Sequence, residues 1–297
     1  MIKKEINDVS YNLREEQDFS WLEKEGNVFS CIDQTGSGCI CFGIEKDHQK
    51  YFYKIAGAKT TGAEVTCEES IRLLKKAIQI YKDIRHPNLI QLVKDFEINE
   101  FYVAVYKWAE GECLFDHWNF DLYKKNPRLI TPIMAFKNLP IQKKLDAIEV
   151  LFSFMEIVIE KGYVAVDFYD SSIMYDFRNH HLSICDIDLF EKRPWFNHMG
   201  EDYFGTKRLK APEENIKGEE ITEQTSIYTL GAIICDLLSE INNKKQRYEK
   251  GVFIINDRND YCFNDQSYDV LKKATDYNKE NRYATVKEFH EAWKKCL

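Results

Sequence analysis

Gly162 to Phe190 reads GYVAVDFYDSSIMYDFRNHHLSICDIDLF: a helix end, a short loop, and two short apolar segments, IMYDF and LSICDIDLF, joined by a turn. Asp167 sits in the loop between Val166 and Phe168, and Asp186 follows the strand-like LSIC nineteen residues later. One such acid is explained by a turn or a cap, because Asp favours hydrogen bonds to its local backbone. Two acids, both flanked by hydrophobes, point past capping to a site that uses carboxylates.

The rest of the chain bounds what that site can belong to. Its 297 residues, 44% of them hydrophobic, suffice for one large core or two smaller lobes. No apolar run approaches the roughly eighteen residues of a membrane span. The N-terminus, MIKKEINDVSYNLREEQDF, is too charged for a signal peptide. The expectation is a cytoplasmic protein that does not enter a membrane. Nine cysteines without CxxC or Cys/His ligand spacing fit reduced thiols rather than disulfides or zinc. A net charge of −8 argues against a nucleic-acid partner.

Residues 1–27 are polar with scattered aromatics, and DFSWLEKEGN reads as a short helix ending at Gly26, an N-terminal extension packed on the first lobe. From Val28 the sequence turns β-rich: VFSCID, a turn at Gln34-Thr35-Gly36-Ser37-Gly38, CICFGIEK, a polar turn, then KYFYKIAG. Lys54 interrupts the last of these strands, where a lysine either snorkels to the surface or meets an anion. A helix follows from Cys67 to Ile84, with Ile71, Leu74, Ala77, Ile78 and Tyr81 on one stripe. LIQLVKDFEI and FYVAVYKW give two more strands, and residues 116–139 form a long connection broken by Pro127 and Pro132. A long amphipathic helix then runs from Pro140 to Gly162 and delivers the chain to Asp167.

In this order the segments resemble the eukaryotic-type (Hanks-type) serine/threonine protein kinases. The catalytic loop H-R-D-x-x-x-x-N is matched by Ala165-Val166-Asp167 with Ser172 at the asparagine, and D-F-G by Asp186-Ile187-Asp188. Of the glycine-rich G-x-G-x-x-G only Gly38 stays in register, Asp33 and Thr35 standing at the first two glycines. Lys54, fourteen residues after Ile40, takes the place of the V-A-I-K lysine. Arg85-His86-Pro87-Asn88 resembles the H-P-N-I segment after helix C, but the lysine-pairing glutamate is replaced by Ala77, leaving Glu69 or Glu64 as substitutes. Glu110 to Leu114 resembles the hinge, and Gly205-Thr206 with Ala211-Pro212-Glu213 matches G-T-x-x-x-x-A-P-E. ITEQTSIYTLGAIICDLLSE resembles helix F with Ser226 for its aspartate, and Arg282 stands where the family places the partner of the A-P-E glutamate. The resemblance spans about residues 28–295.

It implies an α+β, bilobal protein-kinase-like fold: a small antiparallel sheet lobe with one helix at 28–110, and a larger, mainly helical lobe at 111–297. It further implies ATP with Mg2+ or Mn2+. Lys54 and the turn at Thr35, Gly36 and Gly38 would meet the phosphates. Tyr106 and Glu110 would border the adenine, although Tyr106 also reads as a core aromatic. Asp186, Ser172 and Asp188 would hold metal, Asp167 would orient the acceptor hydroxyl, and Thr206 would seat the acceptor.

Three functions are open on this reading. One is a kinase acting on protein hydroxyls. A second is a pseudokinase serving as a nucleotide-binding or scaffold module, to which Ala77, Ala165, Val166, Ser172 and Ser226 point. A third is a small-molecule kinase, opposed by Gly205 to Glu213. Val166 cannot grip a phosphate, so the loop at 189–210 is expected to be ordered without phosphorylation, held by Phe190, Trp195, Phe196 and Phe204.

Overall fold

The computed structural model describes residues 1–116, 119–239, 248–249, 252–255 and 257–297; His117, Trp118 and Glu240, at the ends of segments read above, lie outside them. The fold is α+β, and the chain divides into two units, Met1–Asp83 with Ile90–Ala109 and Ile84–Leu89 with Glu110–Leu297.

The first unit opens on a hairpin, β1 (Ile2–Ile6) and β2 (Val9–Leu13), followed by a 3-10 helix at Ser20–Lys24. Then come β3 (Asn27–Ile32), β4 (Cys39–Lys46), β5 (Gln49–Ala56), helix α1 (Cys67–Asp83), β6 (Leu92–Ile98) and β7 (Phe101–Lys107). These strands make one antiparallel sheet in the order β3-β4-β5-β7-β6. Side chains alternate across a sheet, and the register Cys41↔Lys54↔Ala104 puts those three on one face. That face carries Tyr106 and receives α1, whose Tyr81 ring meets Tyr106 at 5.0 Å.

Ile40, Phe42, Tyr53, Ile55, Val103 and Val105 form the opposite face, and it is buried too. Ile6, Tyr11, Leu13, Phe19 and Leu22 from the first 27 residues cover it. Phe19 stacks on Phe101 at 4.7 Å, and Tyr11 meets Phe42 edge-on at 5.5 Å. The polar look of residues 1–27 therefore concealed a hairpin: Lys3, Glu5 and Ser10 lie on its outer side, while the apolar residues between them enter the core.

In the second unit, β8 (Glu112–Cys113) precedes the helices α2 (Phe120–Lys125) and α3 (Pro132–Lys137), which are the pieces that Pro127 and Pro132 delimit. Gly111 enters this region at φ +111°, where an added Cβ would lie 2.6 Å from the Tyr175 backbone, so only glycine fits. Helix α4 (Ile141–Glu160) buries Ile148, Leu151, Phe152 and Met155. After it come β9 (Tyr163–Val164), the hairpin β10 (Ile173–Asp176) and β11 (His181–Ile184), β12 (Glu191–Lys192), β13 (Trp195–Phe196) and β14 (Glu220–Ile221). Helix α5 (Glu223–Leu237) is buried from Thr225 to Leu237, and α6 (Asp265–Ala274) and α7 (Val286–Lys294) pack against it. No disulfide joins the nine cysteines. No helix among the described residues is long and apolar enough to cross a membrane.

Candidate active site

In the first unit, Lys54 is half-buried on the central strand β5, hydrogen-bonded between β4 and β7, so its backbone position is rigid. The turn before β4 is tied down on one side. Thr35 Oγ1 donates to the carbonyl of Cys39, the Thr60 hydroxyl donates to Thr35 O at 3.3 Å, and the Glu64 N–H donates to Gly36 O at 2.9 Å. Gly38, at φ +68°, lies so near Ser70 that a Cβ would approach it to 3.1 Å. Its glycine is required by backbone conformation as well as by packing.

Ala77 lies on the buried stripe of α1 at 0% exposure, a position where a glutamate would face the sheet. Glu69 is turned outward in an ion pair with Arg72 at 2.6 Å, and Glu64 borders Gly36. Neither acid replaces the missing glutamate on the buried stripe. Tyr106 is a core aromatic at 1% exposure.

In the second unit the two acids of the opening stretch share an unusual backbone. Asp167 has φ +58° and Asp186 φ +51°, both in the left-handed region that strains residues with a Cβ. Such strain persists only where surrounding contacts over-determine it, and it gathers at functional sites. Around Asp167 those contacts are visible. Val166 N–H bonds Val164 O, and the Ala165 N–H donates to Ser226 Oγ of α5 at 3.2 Å. Ser226 thus receives the loop. At Asp186, the β10–β11 register ends on Ile173↔Ile184, and the Cys185 N–H then bonds Ser172 O at 2.9 Å. Ser172 and Asp186 are therefore neighbours at the hairpin's open end.

Ser172 is fully buried, and its Oγ has no hydrogen-bond partner among the described residues. Asp186 is exposed and Asp188 half-buried. A buried hydroxyl without a partner beside carboxylates suits a hard cation. Among the described residues no three His, Cys, Asp or Glu side chains form a metal cage.

Asp167 lines a small cavity, about 10 Å3, together with Gly205, Thr206, Lys210 and Glu214. The Gly205 N–H hydrogen-bonds its carboxylate. Burial, reinforced by the negative charge of Asp186, pushes the Asp167 carboxyl up to about 7, against the pull of Lys210 and of Gly205. Glu214 is buried and pushed up to about 8, chiefly by desolvation. Thr206 lines the same cavity as Asp167.

Glu213 and Arg282 form a buried bidentate pair at 2.6 and 3.0 Å. Two aromatics of the 189–210 loop do not behave as expected: Phe196 and Phe204 are 41% and 40% exposed, and of the four only Phe190 is fully buried. Polar clasps hold the loop instead. The Asn197 amide donates to Gly200 O and Glu214 O, each at 3.0 Å, and Trp195 Nε1 donates to the buried Tyr203 hydroxyl at 2.8 Å. Arg208 pairs with Asp170 of the loop that carries Asp167, lies 3.9 Å from Asp236 of α5, and stacks on Phe115 at 4.7 Å.

Arg208, Lys210 and Glu214 were not singled out from the sequence. The signal for Lys210 was present: it sits between Leu209 and Ala211, a charge flanked by hydrophobes like Asp167.

No family model matches the chain. At low identity it is similar to proteins named as kinases. It is 24% identical over 233 residues to calcium-dependent protein kinase 5 of Plasmodium falciparum (isolate 3D7), an alignment covering 75% of this chain and 38% of that protein. It is 30% identical over 87 residues to serine/threonine-protein kinase 36 of Pongo abelii, 29% of this chain and 6% of that one. The Mus musculus protein of the same name is 28% identical over 85 residues, 28% of this chain and 6% of that one. The chain thus spans a small part of the first relatives' length.

Proposed function

We propose that the protein is an ATP-dependent phosphotransferase of the serine/threonine protein kinase type, acting on a hydroxyl of a protein substrate. The observation that carries this reading is Asp167: a strained, largely buried carboxylate that a backbone N–H orients toward a cavity shared with Thr206. A carboxylate brought near neutral pH by burial is suited to accept a proton. In the reaction, the acceptor hydroxyl loses its proton to Asp167 as its oxygen bonds the γ-phosphorus. The bond from that phosphorus to the β,γ-bridging oxygen breaks, and its electron pair leaves on ADP.

Phosphoryl transfer needs alignment and charge stabilisation more than covalent chemistry from the protein. Lys54 supplies a cation for the phosphates from a rigid strand, and the turn at Thr35, Gly36 and Gly38 supplies backbone N–H groups. Tyr106 and Glu110 are assigned to the adenine side. Asp186, Ser172 and Asp188 would hold Mg2+ or Mn2+, which when bound neutralises charge on the phosphate oxygens. Thr206 positions the acceptor.

A second reading, a nucleotide-binding or scaffold module without transfer, is favoured by one observation: α1 offers Ala77, and no acid, on its buried stripe. Transfer of labelled γ-phosphate to a generic protein, or to the chain itself, decides between them. The parent is expected to transfer, and Asp167→Asn to lose about 10²–10⁴-fold. Equal incorporation by both, or none by the parent, rejects the assignment.

A further inference from the structure

Lys210 is a lysine at 3% exposure in a segment otherwise rich in exposed charge, and burying an ammonium is costly without partners. Its Nζ donates to the carbonyl of Tyr203, which fixes the side chain, and the residue lines the cavity that Asp167 also lines. Among the described residues, it is the sole cation on that cavity wall. The other titratable groups that face Asp167 are acids: Asp186 at the hairpin end, Glu214 on the acceptor segment, and the phenols of Tyr169 and Tyr203. Lys210 itself faces Glu214 and Asp167, with Lys207 and Asp202 farther along its own segment.

We propose that Lys210 is a positioning residue for Asp167: a cation locked by the Tyr203 carbonyl, delivered by the acceptor segment, which holds the Asp167 carboxylate as an anion turned into the cavity. The proposal rests on the role given to Asp167 above. Without Lys210, Asp167 would share a desolvated pocket with Glu214 and the charge of Asp186, and proton uptake would be its cheapest relief. Because Lys210 lies four residues beyond Thr206, the charge is in place only when the acceptor segment is folded against the catalytic loop. Seating the acceptor and readying the base thereby become one event.

The test uses the full chain labelled with 13C at aspartate carboxyls, with the Asp167 resonance assigned by its loss in Asp167→Asn. Lys210→Met, which keeps the stem and removes the charge, is expected to raise the Asp167 titration midpoint by about one pH unit or more. In the transfer assay the same variant then loses activity near pH 7 and recovers it toward pH 9. Lys210→Arg keeps the midpoint near that of the parent. A midpoint unmoved in Lys210→Met, or a rate loss that does not recover with pH, overturns the proposal. Should Lys210→Met not fold, the parent is read directly: the 15Nζ resonance of Lys210 must shift through the Asp167 midpoint, and independence of the two refutes the coupling. A moved midpoint in a protein that transfers no phosphate leaves Lys210 in its role and removes the kinase reading instead.

Discussion

Replacing Arg282 should cost more than almost any substitution far from the acids, and the amount can be worked out. Its side chain is completely buried and donates to both oxygens of Glu213, at 2.6 and 3.0 Å, and to the carbonyls of Gln224, Asp276 and Tyr277. The guanidinium also lies 4.6 Å from the Tyr228 ring. In Arg282→Met, Glu213 keeps the hydrogen bond from Thr225 Oγ1, at 2.9 Å, and is left as a buried charge without its countercharge. Breaking a buried pair in this way costs about 3–5 kcal/mol.

A ceiling on the charge part follows from protonation. Glu213 can escape by binding a proton, which near pH 7, starting from an ordinary glutamate value of about 4.3, costs about 3.7 kcal/mol at 1.36 kcal/mol per pH unit. The pH dependence has a definite sign. In the parent, Arg282 holds Glu213 below the ordinary range although burial opposes it, so the pair's contribution is complete above the unfolded value and lost as pH falls through the folded one. In the variant burial is opposed only by the hydrogen bonds from Thr225 and the backbone, so Glu213 rises relative to the parent and its penalty eases as pH falls. The deficit between the two is therefore largest near pH 7 and smaller near pH 5. Urea denaturation of both proteins at these two pH values measures it. A deficit within about 0.5 kcal/mol, the range of ordinary surface changes, or one independent of pH, refutes the reasoning.

Three further outcomes are expected. Arg208→Gln removes a cation from Asp170 and Asp236, so amide exchange at residues 203–210 should accelerate while α4 stays protected; unchanged exchange there would show that the clasp is not needed. Ser172→Ala deletes a hydroxyl that has no partner among the described residues, so it should leave stability within about 1 kcal/mol. The same change should weaken the thermal shift produced by Mg-ATP, and a purely structural role would give the opposite pattern. Leu13→Ala, at a residue with 0% exposure under the sheet, should destabilise by about 2–5 kcal/mol in chemical denaturation, whereas an N-terminal hairpin that is a mere appendage would give almost nothing.

The strands β3 to β7 and the helices α1 and α4 were legible because their apolar patterning is strong and their ends carry turn residues: periodicity placed a helix at Cys67 to Ile84, and the chain forms one at Cys67–Asp83. The hairpin of residues 2–13 was not legible. Its strands run Ile, Lys, Lys, Glu, Ile and Val, Ser, Tyr, Asn, Leu, a pattern half polar by composition because only one side of a two-stranded ribbon meets the sheet. The loop aromatics misled for a different reason. Phe196 lies on β13, a two-residue strand paired only with β14, and a strand this short buries one side. Hydrophobicity marked Trp195, Phe196 and Phe204 alike, while the partners that decide burial, such as the Tyr203 hydroxyl for Trp195 Nε1, lie at distances no local pattern reports.

Substituted motif positions need not be lost functions, and the distinction lies in what each position must supply. The Ala165 N–H requires an acceptor from α5; Ser226 is shorter than an aspartate and uncharged, yet its hydroxyl oxygen accepts at 3.2 Å and the loop keeps its anchor. At 172 serine also keeps a side-chain oxygen, and that buried oxygen has no hydrogen-bond partner among the described residues. Ala77 is of another kind, because a methyl group can neither accept nor carry charge, and Glu69 on the same helix is spent on Arg72. Of these three positions, Ser226 and Ser172 in the second unit still present a hydroxyl oxygen, whereas Ala77 in the first presents none. On the proposed function, Ala77→Glu should raise nucleotide affinity and leave the pH profile set by Asp167 where it was, and a profile that moves with that substitution would mean that phosphate binding and proton transfer are not divided in this way.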